Sequence, residues 1–203
     1  REFKKMYDGN ISKVVGTSNR SIDLLYKIYV RGQMLFERET AAGRNFFPDA
    51  NSTLRVAYGH IEGHSPEDAV RYLPVSTVKG VMEKDNPEVY DYNVPQRLRD
   101  IYAAGDYGRW APATAKGHTG KPTMPVCFIA TNHTTGGNSG SPVLNGHGEL
   151  VGINFDRTWL STMSDIEFDP AMCRNISTDI RYILFVIDKI GNAGYLINEM
   201  TLK

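Results

Sequence analysis

Between residues 134 and 143 the chain reads Thr-Thr-Gly-Gly-Asn-Ser-Gly-Ser-Pro-Val, and no other stretch limits the fold as tightly. Three glycines and a proline in ten residues argue against a helix interior and against the middle of a sheet. Glycine costs about 1 kcal/mol there relative to alanine, and proline removes a hydrogen-bond donor. The run must be a tight connection. A continuous apolar strand candidate, Met124 to Thr131, precedes it. Two strand candidates follow, Pro142 to Leu144 and Glu149 to Phe155, separated by the hairpin signal Asn145-Gly146-His147-Gly148.

A loop of this kind suits a serine nucleophile. The hydroxyl has to stand on a sharp turn, with backbone N–H groups aimed at the developing oxyanion. Glycines on both sides permit positive φ and close approach of a substrate. Ser139 is the candidate nucleophile, and the N–H groups of Gly137 and Ser139 form the candidate oxyanion hole. The competing reading is a hairpin loop rich in glycine and serine with no chemistry. The order of strand, loop, hairpin and the following Leu150-Val151-Gly152-Ile153 favours catalysis, because it matches the end of a trypsin-like second β-barrel.

The remaining chain supplies context. In the first 45 residues Ile22, Leu25, Ile28, Tyr29 and Leu35 fall near a helical period, with Asn19 or Ser21 as N-cap and Gly43 and Pro48 closing the segment. Thr53 to Tyr58 alternates like a strand. Residues 66–122 are rich in turn formers, with short helices expected at Ser76 to Glu83 and at Pro95 to Ala103, and could be a long insertion over a site. Ile180 to Ile190 has helical spacing ended by Gly191 and Asn192. Net charge is zero, so no basic field recruits nucleic acid, and no apolar run approaches the roughly 20 residues of a membrane span. Cys127 and Cys173 allow one disulfide or two buried thiols.

Three stretches and one earlier segment carry a family resemblance. They are Thr135-Gly-Gly-Asn-Ser-Gly-Ser-Pro-Val143, Gly152-Ile-Asn-Phe-Asp-Arg157 and Arg174-Asn-Ile-Ser-Thr-Asp-Ile-Arg-Tyr182, with Pro48-Asp-Ala-Asn-Ser-Thr-Leu-Arg55 before them. Together they resemble the bacterial exo-dipeptidyl-peptidases among the chymotrypsin-fold serine peptidases, and most resemble the Asp/Glu-specific members. The resemblance spans about residues 46–203. It implies an α+β, mainly β fold, the C-terminal half of a chymotrypsin-like double β-barrel. Residues 1–50 would be the tail of a helical domain inserted between the barrels, and residues 51–203 the barrel part. It also implies release of dipeptides from peptides with free N-termini, in the periplasm or at the surface of a Gram-negative bacterium, by a homodimer that needs no cofactor.

By position, the resemblance makes Ser139 the nucleophile, Asp156 the partner of the substrate's α-ammonium and Arg157 the arginine of the S1 pocket. The chemistry points the same way. A fixed carboxylate distinguishes a free N-terminus from an internal amide, and a guanidinium fork suits a carboxylate side chain. An unpaired arginine in an apolar pocket would cost several kcal/mol, which argues against apolar specificity. The plain alternative for Asp156-Arg157 is two solvated charges at a strand end.

A serine also needs a base. None of His60, His64, His118, His133 and His147 has the expected setting, so the catalytic His and Asp are expected outside this chain and the chain alone is expected to be inactive. His60 and His64 read as exposed turn residues without further ligands at metal-binding spacing, and no metal is expected. His133 could line the cleft. Two rivals stay open: a small endopeptidase using His60 as base, and a non-enzymatic binding module whose glycine-rich loop is only a turn.

Overall fold

The computed structural model describes residues 12–40, 54–112 and 123–203. The chain divides into two units, Arg1–Pro48 and Asp49–Lys203. In the first, helix α1 (Ser12–Thr40) runs for 29 residues. Asn19 and Ser21 lie inside it, so neither is its cap; Gly43 and Pro48 fall outside the described residues. The apolar stripe of Ile22, Leu25, Ile28, Tyr29 and Leu35 is exposed along its length.

The second unit is an α+β arrangement around a five-stranded antiparallel sheet. Its strands are β1 (Val75–Thr77), β2 (Pro125–Ala130), β3 (Pro142–Leu144), β4 (Leu150–Arg157) and β5 (Asn175–Asp179), in the order β1-β2-β5-β4-β3. The apolar run expected at Met124 to Thr131 is β2. The hairpin expected after Pro142 joins β3 to β4, but the left-handed glycine of its turn is Gly148 (φ 78°), not Gly146. The Gly148 N–H donates to the Asn145 carbonyl at 3.0 Å, and the Asn145 side-chain oxygen accepts from the N–H groups of His147 and Glu149. Asparagine here makes a local turn of its own rather than supplying the Asn-Gly pair of a two-residue loop.

Of the strand expected at Thr53 to Tyr58, Thr53 lies outside the described residues and no strand forms among the rest. Residues 54–60 belong to no strand, and Leu54, Val56 and Tyr58 are exposed, so alternation alone found no neighbour strand. The pairing starts later. Thr131 N–H donates to the His60 carbonyl and Glu62 N–H to the Ile129 carbonyl, which lays residues 60–62 along the end of β2. Gly59 makes this approach possible: a Cβ there would meet Thr131 Oγ1 at 2.6 Å and Asn132 N at 2.7 Å.

Helix α2 (Val78–Glu83) begins two residues later than its pattern suggested, because Ser76 and Thr77 belong to β1. Helix α3 (Gln96–Ala104) starts with Pro95 as the cap residue rather than at N1 and ends on left-handed Gly105. Helix α4 (Ile180–Phe185) is capped by the Asp179 carboxylate, which accepts from Arg181 N–H, and it widens into a π turn, Val186–Ile190, before Gly191. The segment read as a possible insertion over a site contributes instead to the interior. Val78, Val94, Leu98, Tyr107 and Trp110 form one buried cluster with Met124, Leu184, Phe185 and Ile197. Trp110 Nε1 donates to Asp188 at 2.8 Å, so the ring is buried with its polar atom satisfied.

Cys127 and Cys173 are free thiols, and burial pushes the Cys127 thiol up. Cys127 lies opposite Thr178, five residues along the β5 line from Cys173, so at ~3.3 Å per residue they are about 16 Å apart in that direction. A disulfide needs Cα atoms within about 7 Å.

Candidate active site

Ser139 sits on the turn that the glycines require. Gly137 (φ 90°) and Gly140 (φ 83°) are left-handed. Asn138 ties the turn together: its side-chain oxygen accepts from Thr135 N–H at 2.9 Å, and its carbonyl accepts from Ser141 N–H at 3.0 Å. The turn is then fastened to β4, since Gly140 N–H donates to the Asn154 carbonyl (2.8 Å) and Asn154 N–H to the Ser141 carbonyl (2.9 Å). Among the described residues, the N–H groups of Gly137 and Ser139 donate to no protein acceptor. Two free donors beside an exposed hydroxyl are what an oxyanion site requires.

Beneath the turn lies a chain of three asparagines that the sequence reading missed. Asn175 Nδ2 donates to Asn154 Oδ1 at 2.8 Å, and Asn154 Nδ2 donates to the Asn138 carbonyl at 3.2 Å. Asn154 and Asn175 are 5% and 4% exposed, so the bond between them is buried, and the one to Asn138 is partly so. Amide side chains at strand positions facing the interior are the available signal for such a network, because a buried amide needs partners.

Strand β4 is irregular at the site. Asn154 pairs with Ser177 and Asp156 with Ile176, which leaves Phe155 as an extra residue, a β-bulge. The Ser139 hydroxyl donates to the Phe155 carbonyl at 3.2 Å. The candidate nucleophile and the Asp156-Arg157 pair are thereby brought to the same kink. Asp156 is exposed, and its Oδ1 accepts from Arg157 N–H at 2.8 Å.

Arg157 is not the unpaired cation the sequence suggested. Its Nη1 donates to Asp165 Oδ1 (2.7 Å) and Ser164 Oγ (2.8 Å), and its Nη2 to Asp165 Oδ2 (2.5 Å). These hydrogen bonds hold the Asp165 carboxyl below the usual carboxylate range and push the guanidinium further up. No uncompensated cation is left here, so its cost no longer counts against apolar specificity. Asp165 ends the 3₁₀ segment Trp159–Asp165, eight residues past Arg157, and no pattern in the sequence marks it as a partner.

His133 touches the same corner. Its Nε2 lies 3.2 Å from the Ser164 carbonyl, and its ring packs on Phe168 with centroids 4.4 Å apart. Burial lowers its pKa. Among the described residues no imidazole hydrogen-bonds to Ser139. His60 is exposed, with its N–H on Thr131 Oγ1. His64 departs from its reading as an exposed turn residue: it stacks on Tyr72 with centroids 5.1 Å apart, and both ring nitrogens are buried without a hydrogen-bond partner. Beside it Arg174, 4% exposed, donates to the carbonyls of Glu62, Gly63, Pro170 and Cys173, fastening residues 62–63 to the start of β5. No three His, Cys, Asp or Glu side chains gather into a metal-binding set among the described residues, and no described helix is long and apolar enough to cross a membrane.

The chain is similar to known proteins over most of its length. An Asp/Glu-specific dipeptidyl-peptidase of Capnocytophaga gingivalis is 49% identical over 202 residues, covering all of this chain and 27% of that protein. Dipeptidyl-peptidase 7 of Phocaeicola vulgatus is 46% identical over 186 residues, 91% of this chain and 24% of that protein. The crystal structure of Porphyromonas endodontalis DPP11 in complex with the dipeptide Arg-Asp is similar with a TM-score of 0.71 and 49% identity, over 78% of this chain and 22% of that one. The chain thus spans about a quarter of the length of the relatives it matches. The peptidase S46 model matches residues 7–202, and the chain belongs to that family.

Proposed function

We propose that this chain is the nucleophile-bearing part of a serine dipeptidyl-peptidase that releases dipeptides from free N-termini, with Asp or Glu preferred at the second position. The observation that carries the reading is the Phe155 bulge, where the Ser139 hydroxyl meets the strand that presents Asp156 and Arg157. Ser139 Oγ attacks the carbonyl carbon after the second residue while a histidine takes its proton. The N–H groups of Gly137 and Ser139 stabilise the oxyanion, the imidazolium protonates the leaving amine, and water then hydrolyses the acyl-enzyme by the reverse proton path. Asp156 pairs with the α-ammonium and Arg157 with the acidic side chain.

The histidine and its aspartate come from the rest of a longer polypeptide, in which residues 51–203 are half of a chymotrypsin-like double barrel. The exposed stripe of α1 supports a place for residues 1–50 in a larger helical domain. The working protein is a periplasmic or surface-located homodimer acting on peptides. Dipeptidyl-peptidase 7 relatives keep a second specificity in view, and a guanidinium at position 157 favours the acidic one. The test is labelling of the intact enzyme with a fluorophosphonate and turnover of unblocked dipeptidyl reporters, wild type against Ser139→Ala. Loss of both supports the reading; labelling or turnover that survives the substitution overturns it.

A further inference from the structure

We infer that Asp165 is a positioning residue for substrate selection, clamping one edge of Arg157 so that the other edge receives the side-chain carboxylate of an acidic substrate; this rests on the proposed function. A guanidinium has two bidentate edges, the end-on pair Nη1/Nη2 and the side-on pair Nε/Nη2. Asp165 occupies the end-on edge with both oxygens, and Ser164 Oγ takes the second Nη1 proton. Among the described residues, Nε and the second Nη2 proton have no partner, so one complete fork remains open. It can take a second carboxylate without displacing the first.

The clamp is built rather than incidental. An exposed ion pair is worth little and wanders between rotamers. Asp165 is half-exposed, but Arg157 is three-quarters covered, and its third bond goes to Ser164, which is 2% exposed. The Ser164 carbonyl is in turn bonded to His133, whose ring packs on Phe168. The corner at residues 164–168 therefore fixes where the end-on edge points, and the side-on edge follows because the guanidinium is planar. The fork is aimed before substrate arrives, and fewer rotamers have to be frozen on binding.

Two substitutions in the intact enzyme separate this inference from the reading beneath it. With unblocked dipeptidyl reporters ending in Asp, Glu or Leu, Asp165→Asn is expected to lower kcat/KM for the acidic pair by about tenfold, through KM, and to leave the Leu reporter within about twofold. In an Arg157→Ala background the same change is expected to do nothing further, because Asp165 acts through the arginine. Tighter binding of the acidic reporters would make Asp165 a competitor of the substrate and overturn the inference. So would an equal loss on Leu, unchanged acidic kinetics, or an additive loss in the double variant. If Arg157→Ala alone leaves acidic turnover intact, the acid-specific reading itself fails.

Discussion

Removing the Asn154 side chain should loosen the nucleophile turn and little else. Asn154→Ala deletes two hydrogen bonds, 2.8 Å from Asn175 Nδ2 and 3.2 Å to the Asn138 carbonyl, in a place only 5% exposed. Each such bond contributes a net ~1 kcal/mol, and a buried donor left unsatisfied costs about 1–3 kcal/mol. Asn175 Nδ2 keeps a long contact to Ser177 Oγ at 3.4 Å, so the lower end of that penalty applies. The sum is about 2–3 kcal/mol of local stability, or roughly a 30- to 150-fold rise in the opening equilibrium. The backbone bonds of Gly140 to Asn154 and of Asn154 to Ser141 report on that opening. Amide hydrogen exchange of Gly140 and Asn154 in the intact protein should accelerate by that factor, while amides of β2 and β5 change little. Turnover should fall at least tenfold, because the loosened turn no longer holds the nucleophile and its oxyanion donors in one geometry. Ser139→Ala, which removes one exposed bond, should instead leave exchange within about twofold. Acceleration below threefold at both amides, or equal acceleration across the sheet, would refute the idea that the asparagine chain holds the turn.

Two further outcomes follow from packing and charge. Gly152→Ala places a Cβ 2.7 Å from the Thr178 carbonyl oxygen and 2.8 Å from the Phe128 ring, so chemical denaturation should show a loss of about 1–3 kcal/mol; a loss under about 0.5 kcal/mol would mean that β4 and β5 part without strain. Burial and the Arg174 guanidinium lower the pKa of His64, so as pH falls through about 6.5 the unfolded chain takes a proton that the folded one refuses, and stability drops. Thermal unfolding between pH 8 and 5 should therefore have a shallower pH dependence in His64→Phe than in the wild type, and parallel curves would acquit this histidine.

The parts of the molecule legible in sequence are those set by local chemistry. The glycines around Ser139 demand a turn, the apolar run from Met124 demands a strand, and the spacing from Ile180 demands a helix, and the structure has each of them in place. What local pattern misses depends on partners distant in sequence. Leu54, Val56 and Tyr58 alternate like a strand, yet the backbone pairs with β2 only from His60 onward. Residues 66–122 read as a possible insertion because turn formers crowd them, and Val78, Leu98 and Trp110 become core only when they meet Leu184 and Phe185. At the site, Asp156 and Arg157 are conspicuous as adjacent charges, but Asp165 is not, since an acid in an irregular segment carries no periodic mark. His64 misleads for the same reason: Tyr72 and Arg174 cover it from elsewhere in the chain.

The extra residue in β4 has a consequence for how this site tolerates change. Phe155 shifts the phase of everything after it on the strand, so Asp156 and Arg157 keep ladder partners one step out of frame with Asn154. A substitution at position 157 alters one side chain and leaves the ladder intact. Deletion of residue 155 would leave Asp156 opposite Ile176 and Arg157 opposite Asn175 in an unbroken ladder, and would remove both the kink and the carbonyl that accepts from the Ser139 hydroxyl. Loss of one codon at this point is therefore expected to be more damaging than replacement of the Phe155 side chain, because it shortens the span from 139 to 156 that brings the Ser139 hydroxyl to the kink.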